Sequence, residues 1–257
     1  MLKGKSVKMG RYNIFLIFAA LAVTGCQSPQ PKNHRNYVDS NVVVNDTLFL
    51  KREVKDNVIY QAVYVDPNKN SPAYLDAFDY DNQDSIDIKR YLAAIHKKSS
   101  TLKKFNIYGL ATNWRPVYQY QSKYYLYDPS DSGDKAVNVL TDSLMMFYYF
   151  GDGYLSIAPQ SVTKTNDQIF NIKLNHQLPE QDALPKELNI YIIDPKTSMA
   201  VWEFKTDGRP EYQLMVPKEH VRDYPIVINS HNPGKRAEYD FEVIDFKKLI
   251  AEISPSR

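Results

Sequence analysis

The chain has 257 residues, a hydrophobic fraction of 43%, and 32 basic residues against 30 acidic ones. Four of the basic residues precede the first apolar run, so the remainder carries 28 basic and 30 acidic residues, a net charge of −2. This balance predicts no nucleic-acid partner, because nucleic-acid binding requires a clustered basic face. The longest basic runs, Lys97-Lys98 and Lys103-Lys104, are short and typical of a solvated edge.

An unbroken apolar run of ten residues, 14–23, follows the basic flank of Lys3, Lys5, Lys8 and Arg11. A permanent transmembrane helix needs about 20 apolar residues, so the run predicts a secretory signal peptide instead. Val23-Thr24-Gly25-Cys26 resembles the lipobox of bacterial lipoproteins. The resemblance implies that residues 1–25 are removed and that Cys26 is lipidated, which makes the membrane a partner through an N-terminal lipid. Cleavage at an ordinary secretory site, leaving a free thiol, is the alternative.

Cys26 is the only cysteine, so once it is lipidated the folded part contains no thiol. The sequence therefore predicts no disulfide, no thiolate metal ligand and no cysteine nucleophile. In the sorting rule of enteric bacteria, an aspartate directly after the lipidated cysteine retains a lipoprotein in the inner membrane. The residue here is Gln27, which implies delivery to the outer membrane.

A polar stretch with prolines follows the cysteine and predicts a flexible tether over residues 26–40. A β-rich domain is expected over residues 41–257, with a candidate division near 177–187. Two runs of β-forming residues, 47–54 and 58–65, flank the turn residues Lys55-Asp56-Asn57 and predict a first hairpin.

A helix is predicted over about residues 86–98, after the capping residues Asp84-Ser85. Its apolar face is set by residues at i, i+3, i+4 and i+7, namely Ile88, Tyr91, Leu92 and Ile95. The basic residues of this segment fall off that face: Lys89, Arg90, Lys97 and Lys98.

From Phe105 onward, short apolar strands alternate with turn residues every 8 to 12 positions. This spacing predicts a mainly β fold, an antiparallel meander forming a barrel or a sandwich. The expected strands are 114–120, 123–127, 136–140, 144–150, 154–158, 169–174, 188–193, 200–204, 212–216, 226–229 and 239–244. Asp245 is expected to cap a C-terminal helix over 246–253. The aromatic meander over 105–174 resembles the lipocalin-like barrels among bacterial lipoproteins.

Tyrosine is abundant, with 20 residues, and several tyrosines fall in one predicted hairpin. Because alternate strand residues share a face, one face of the hairpin collects candidate ligand-binding rings: Trp114, Tyr118, Tyr120, Tyr125 and Tyr127. The rings could bind a glycan or a small apolar molecule inside a barrel, or they could form core. The alternation that continues into 144–150 favours core.

No sequence motif marks a catalytic residue, a metal site or a cofactor site. The segment Asp128–Asp134 resembles a calcium loop, but Val139 stands where the loop needs a bidentate glutamate. Three tripeptides resemble a bacterial O-glycosylation motif: Asp46-Thr47-Leu48, Asp84-Ser85-Ile86 and Asp142-Ser143-Leu144. Two alternatives stay open: a haem lipoprotein using His176 with His220 or His231, and a carbohydrate-active hydrolase with unmarked carboxylates. The sequence favours a membrane-anchored, non-enzymatic binding or structural module of the bacterial envelope.

Overall fold

The computed structural model describes residues 48–55, 58–71, 74, 86, 89–90, 93–94, 97, 102–130, 136–149, 153–176, 184–206, 208–231 and 238–253. The predicted signal peptide, Cys26 and the predicted tether lie outside the described residues.

Twelve strands form one connected sheet in the order β1-β2-β12-β4-β3-β11-β10-β9-β8-β7-β6-β5. In chain order they are β1 (Phe49–Lys55), β2 (Val58–Asp66), β3 (Asn113–Tyr120), β4 (Lys123–Asp128), β5 (Ala136–Leu140), β6 (Met145–Tyr149), β7 (Gly153–Lys164), β8 (Ile169–Asn175), β9 (Glu187–Asp194), β10 (Met199–Lys205), β11 (Glu211–Pro217) and β12 (Ile226–His231). A 3₁₀ helix, Lys218–Asp223, precedes β12, and an α-helix, Phe246–Ile253, follows it.

An eight-stranded antiparallel barrel is closed by β3, which pairs with β11 and also with β5. Trp114 lies opposite Pro217 of β11 and opposite Asn138 of β5, so both edges of β3 are used at this point. The strands β5 to β11 follow one another as a meander, which confirms the predicted fold class. β8 and β9 pair directly, so the two strand runs on either side of residues 177–187 belong to the same barrel.

The part of the connected sheet outside the barrel is here called the second sheet and consists of β4, β12, β2 and β1. It joins the barrel at the end of β3, where Tyr118–Tyr120 leave the barrel and pair with β4. Beyond β4 the order is β12, β2 and β1, with the predicted first hairpin at the edge. The pairing of β4 with β12 is parallel, which requires a long crossover connection, and the chain completes the barrel between these two strands. The second sheet therefore joins segments that are far apart in sequence.

The barrel interior is filled by its own side chains. Trp114 and Trp202 are both 0% exposed, and their ring centroids lie 5.2 Å apart. Buried aliphatic and aromatic residues from the other barrel strands surround them, among them Leu140, Met145, Phe147, Ile157, Ile172, Leu188, Ile190 and Met215. An interior of eight strands is just wide enough to be filled in this way.

The C-terminal helix packs on the outer wall of the barrel, with Phe246 stacked on Tyr212 at 5.5 Å. Asp245 Oδ1 accepts a hydrogen bond from Lys248 N at 3.0 Å, which confirms the predicted cap. In the segment predicted as the first helix, the six described residues are all helical and exposed: Ile86, Lys89, Arg90, Ala93, Ala94 and Lys97. The residues predicted for its apolar face lie outside the described residues.

The predicted strand over 239–244 is wrong. Residues 238–245, here called the C-terminal segment, have no regular secondary structure. Glu242 N donates to Gln119 O at 3.2 Å, and Gln121 N donates to Glu242 Oε1 at 2.7 Å. The rings of this segment pack on the second sheet, while its backbone makes no strand ladder among the described residues.

Candidate functional site

The β3–β4 hairpin fixes which tyrosines share a face. Its turn residues Gln121 and Ser122 have φ of 48° and 61°, the left-handed conformation that suits a two-residue hairpin turn. Tyr118 lies opposite Tyr125, and Tyr120 lies opposite Lys123. Directly opposed residues point to the same side of a sheet, so this register brings the hairpin tyrosines to one face.

Six rings meet on this face, here called the ring cluster: Tyr118, Tyr120, Tyr125, Tyr127, Tyr239 and Phe241. Phe241 is at its centre, stacked on Tyr118 at 4.7 Å and edge-on to Tyr127 at 5.0 Å and to Tyr239 at 4.9 Å. Tyr120 completes the cluster, edge-on to Tyr125 at 6.4 Å and to Tyr239 at 6.3 Å. Such offset and edge-on pairs are the favoured aromatic geometries.

The structure brings together four of the five candidate rings and separates the fifth. Trp114 is in phase with Tyr118 along β3, but it lies inside the barrel and its Nε1 donates to Ala111 O at 2.7 Å. The separation arises because β3 leaves the barrel between these two residues. Sequence reasoning missed Tyr239 and Phe241 as members of the site, although their alternate positions already indicated a shared face.

The exposure of the rings separates one covered ring from five half-buried ones. Tyr125 is only 4% exposed, whereas Tyr118, Tyr120, Tyr127, Tyr239 and Phe241 are half-buried. Two of the half-buried rings, Tyr120 and Tyr239, stand next to the exposed polar residues Gln121 and Glu242. These two rings are here called the open edge. The cluster is therefore partly core and partly a surface that a ligand can reach.

A polar network closes one end of the cluster around Glu238. Tyr127 Oη donates to Glu238 Oε2 at 2.5 Å, and Ser130 N donates to the same oxygen at 3.1 Å. The Ser130 hydroxyl donates to Glu238 Oε1. Tyr127 Oη accepts from Asn229 Nδ2 at 2.9 Å and from Tyr239 N at 3.0 Å. Gln61 Nε2 extends the network by donating to Asn229 Oδ1 at 3.0 Å.

The surroundings raise the pKa of three phenols of this face. Burial, and then the hydrogen bond to Glu238, raises the pKa of Tyr127 well above its ordinary value. Burial also raises the pKa of Tyr125 and of Tyr239. A neutral phenol that is held by an acceptor contributes a hydrogen-bond donor and a packed ring. The face consequently presents aromatic surface and hydroxyl groups.

Replacing Glu238 with alanine is expected to lower the free energy of unfolding by about 2–3 kcal/mol. The substitution removes the hydrogen-bond acceptor of the Tyr127 and Ser130 hydroxyl groups, and Ser130 is only 3% exposed, so water does not replace the acceptor there. Urea denaturation measures the change. Glu242→Ala is the matched control on the same segment, since Glu242 is exposed and water can replace its bond to Gln121 N. Equal effects of the two substitutions would contradict a structural role for the buried network.

A second carboxylate with tyrosine partners lies on the outer wall of the barrel. Glu203 accepts from Asn189 Nδ2 at 2.6 Å, from Tyr191 Oη at 3.0 Å and from Tyr212 Oη at 2.9 Å. Burial, and then the charge of Glu203, raises the pKa of Tyr191. Three donors from β9 and β11 already satisfy this carboxylate, so we assign the group to cross-strand stabilisation beside the C-terminal helix.

The other sequence candidates are distributed over the fold. His176 follows β8 with its Nε2 3.0 Å from Pro185 O, and His220 places Nδ1 2.8 Å from Asp223 Oδ2, whereas His231 ends β12 in the second sheet. Ser143 of the third glycosylation-like tripeptide is only 5% exposed, so the folded chain does not present it, whereas Thr47 and Ser85 of the other two lie outside the described residues. Within the described ranges, no group of three or more His, Cys, Asp or Glu side chains is placed to hold a metal ion.

Comparisons with known proteins assign no family. No protein-family model matches the chain, and no curated protein or solved structure matches it. None of the helices in the described part of the chain is long and apolar enough to span a membrane.

Proposed function

We propose that the chain is a membrane-anchored lipoprotein of the bacterial cell envelope that acts as a non-enzymatic binding or structural module. The lipobox residues and the polar tether support the anchor, and Gln27 supports delivery to the outer membrane. The observation that supports a binding module is the contrast between the aromatic residues of the barrel interior and those of the ring cluster. The barrel interior is filled by its own side chains, whereas the ring cluster on the second sheet keeps an open edge.

The open edge of the ring cluster supports a glycan as the ligand class. Tyr120 and Tyr239 are half-buried and edge-on to each other at 6.3 Å, with Gln121, Lys123 and Glu242 exposed around them. A sugar ring can place its C–H face on such rings while its hydroxyl groups bond to polar neighbours. A small apolar ligand inside the barrel is less well supported, because the interior residues already occupy that space.

Substitution of either edge ring is expected to weaken glycan binding by about tenfold, the loss of one stacking contact. The probe is soluble glycan strands from peptidoglycan, titrated calorimetrically into the parent, Tyr120→Ala and Tyr239→Ala at a temperature where thermal melts show all three folded. Tyr108→Ala is the matched control, because Tyr108 is 41% exposed and its nearest ring partner is Phe170, outside the cluster.

The outcomes of this titration separate the hypotheses. A parent chain that does not bind the strands, or a control that loses as much affinity as the edge variants, would overturn the glycan assignment. The hydrolase alternative predicts release of new reducing ends from the same strands, whereas a binding module leaves the strands intact.

A further inference from the structure

The C-terminal segment passes from one face of the second sheet to the other. Its residues Tyr239 and Phe241 pack on the buried cluster that contains Tyr125. Its residue Ile244 packs on a different buried cluster, which contains Leu126. Tyr125 and Leu126 are neighbours on β4, and neighbouring residues of a strand point to opposite faces of the sheet. The segment therefore changes face between Phe241 and Ile244.

The change of face occurs beside β3, where its pairing with β11 has ended. That pairing extends from Trp114 to Val117. Two positions further along β3, Gln119 O accepts a hydrogen bond from Glu242 N at 3.2 Å. The backbone of Glu242 therefore fastens the C-terminal segment to the edge of β3.

The side chain of Glu242 supplies an acceptor to the β3–β4 turn. Tyr120 and Lys123 pair across this two-residue turn, so the N–H of Gln121 lies outside the strand ladder. Gln121 N donates to Glu242 Oε1 at 2.7 Å, a short bond of the kind that a charged acceptor forms. Glu242 thus binds both β3 and its turn.

We infer that Glu242 is a positioning residue that assembles the open edge by fastening Tyr239 beside Tyr120. Tyr120 directly precedes Gln121 in the hairpin, and Tyr239 lies three residues before Glu242 in the C-terminal segment. The bond between Gln121 and Glu242 therefore joins the two segments that each supply one ring, and the ring centroids lie 6.3 Å apart. This inference rests on the proposed glycan function, because it concerns the same two rings.

Tyr239 is held on both sides, but only one of the two attachments is open to water. On one side, Tyr239 N donates to Tyr127 Oη at 3.0 Å, and Tyr127 Oη donates to Glu238 Oε2 at 2.5 Å, all among half-buried residues. On the other side, Glu242 is exposed, so water can satisfy Gln121 N when the carboxylate is removed. Loss of this carboxylate therefore frees the placement of Tyr239 with little effect on folding.

The test repeats the titration with soluble glycan strands from peptidoglycan, at a temperature where thermal melts show every variant folded. Glu242→Ala is expected to weaken binding about fivefold, the factor for one exposed hydrogen bond that forms only when the rings are assembled. Glu242→Gln keeps a side-chain oxygen for Gln121 N and is expected to bind like the parent. Asp240→Ala is the matched control, because it removes another exposed carboxylate from the same segment, and it is also expected to bind like the parent.

Two measurements without glycan separate positioning from direct contact. Amide hydrogen exchange at Gln121 is expected to be slower in the parent and in Glu242→Gln than in Glu242→Ala. Nuclear Overhauser contacts between the rings of Tyr120 and Tyr239 are expected in the parent and in Glu242→Gln, and are expected to weaken in Glu242→Ala.

Three results would overturn the inference: unchanged affinity in Glu242→Ala, a loss of the same size in Asp240→Ala or Glu242→Gln, or weaker binding with unchanged ring contacts and Gln121 exchange. The last result would make Glu242 a direct glycan contact. If the parent does not bind the strands, the proposed glycan function fails, and the two measurements without glycan still decide whether Glu242 holds the two rings together.

Discussion

Trp202→Ala is expected to lower the free energy of unfolding by about 3–5 kcal/mol, the range for truncating a buried aromatic residue. Trp202 is 0% exposed and contacts Trp114 at 5.2 Å and Phe204 at 5.9 Å between ring centroids. Its removal would leave a cavity among rings that the closed barrel wall holds in place. Chemical denaturation of the parent and the variant, analysed with a common slope, measures the loss.

Two phenylalanine substitutions separate packing from hydrogen bonding. Trp202 Nε1 has no hydrogen-bond partner among the described residues, so Trp202→Phe removes ring volume without removing a bond. Trp114 Nε1 donates to Ala111 O at 2.7 Å. Trp114→Phe is therefore expected to lower the free energy of unfolding by about 1 kcal/mol more than Trp202→Phe does. If Trp202→Ala changed stability by less than about 1 kcal/mol, the interior would not be packed, and an internal ligand cavity would again be the better hypothesis.

Cys26→Ser is expected to abolish membrane attachment while the domain folds unchanged. The proposed anchor consists of acyl chains on the cysteine, and each buried methylene contributes about 0.8 kcal/mol, so several chains hold the protein durably. A serine hydroxyl does not form the thioether that carries the diacylglycerol. Fractionation of cells is expected to recover the parent with the membranes and the serine variant in the soluble fraction.

The same fractionation tests to which of the two membranes the lipoprotein is delivered. The parent is expected in the outer membrane, and Gln27→Asp is expected to retain the protein in the inner membrane under the enteric rule. Recovery of the parent only with the inner membrane would contradict the proposed destination while leaving the anchor intact.

Local patterns predicted the individual elements well. The cap at Asp245 and the helical spacing that follows gave the C-terminal helix, and period-two alternation gave the β3–β4 hairpin. Both signals lie within a few residues of the element that they specify. For the same reason they carry no information about β3 pairing with β5 and β11, or about the parallel pair of β4 and β12. Those contacts join backbone edges that are distant in sequence and leave no local pattern.

The candidate site also depends on contacts between distant segments, which local patterns do not predict. Alternation correctly placed Tyr118 and Tyr120 on one face, and the hairpin register added Tyr125 and Tyr127. Alternation also put Trp114 in phase with them, but side-chain phase does not reveal where a strand passes from a barrel into a second sheet. Phe241 was assigned to the predicted strand over 239–244, although the segment crosses the rings without forming a strand.

Metabolic labelling with radioactive palmitate tests the central claim, that this chain is a lipoprotein anchored at Cys26. Cells expressing the parent and the Cys26→Ser variant are labelled in parallel, and the protein is purified from each. The account predicts label in the parent and none in the variant. Label in the serine variant, or its absence from a normally exported parent, would contradict the proposed anchor.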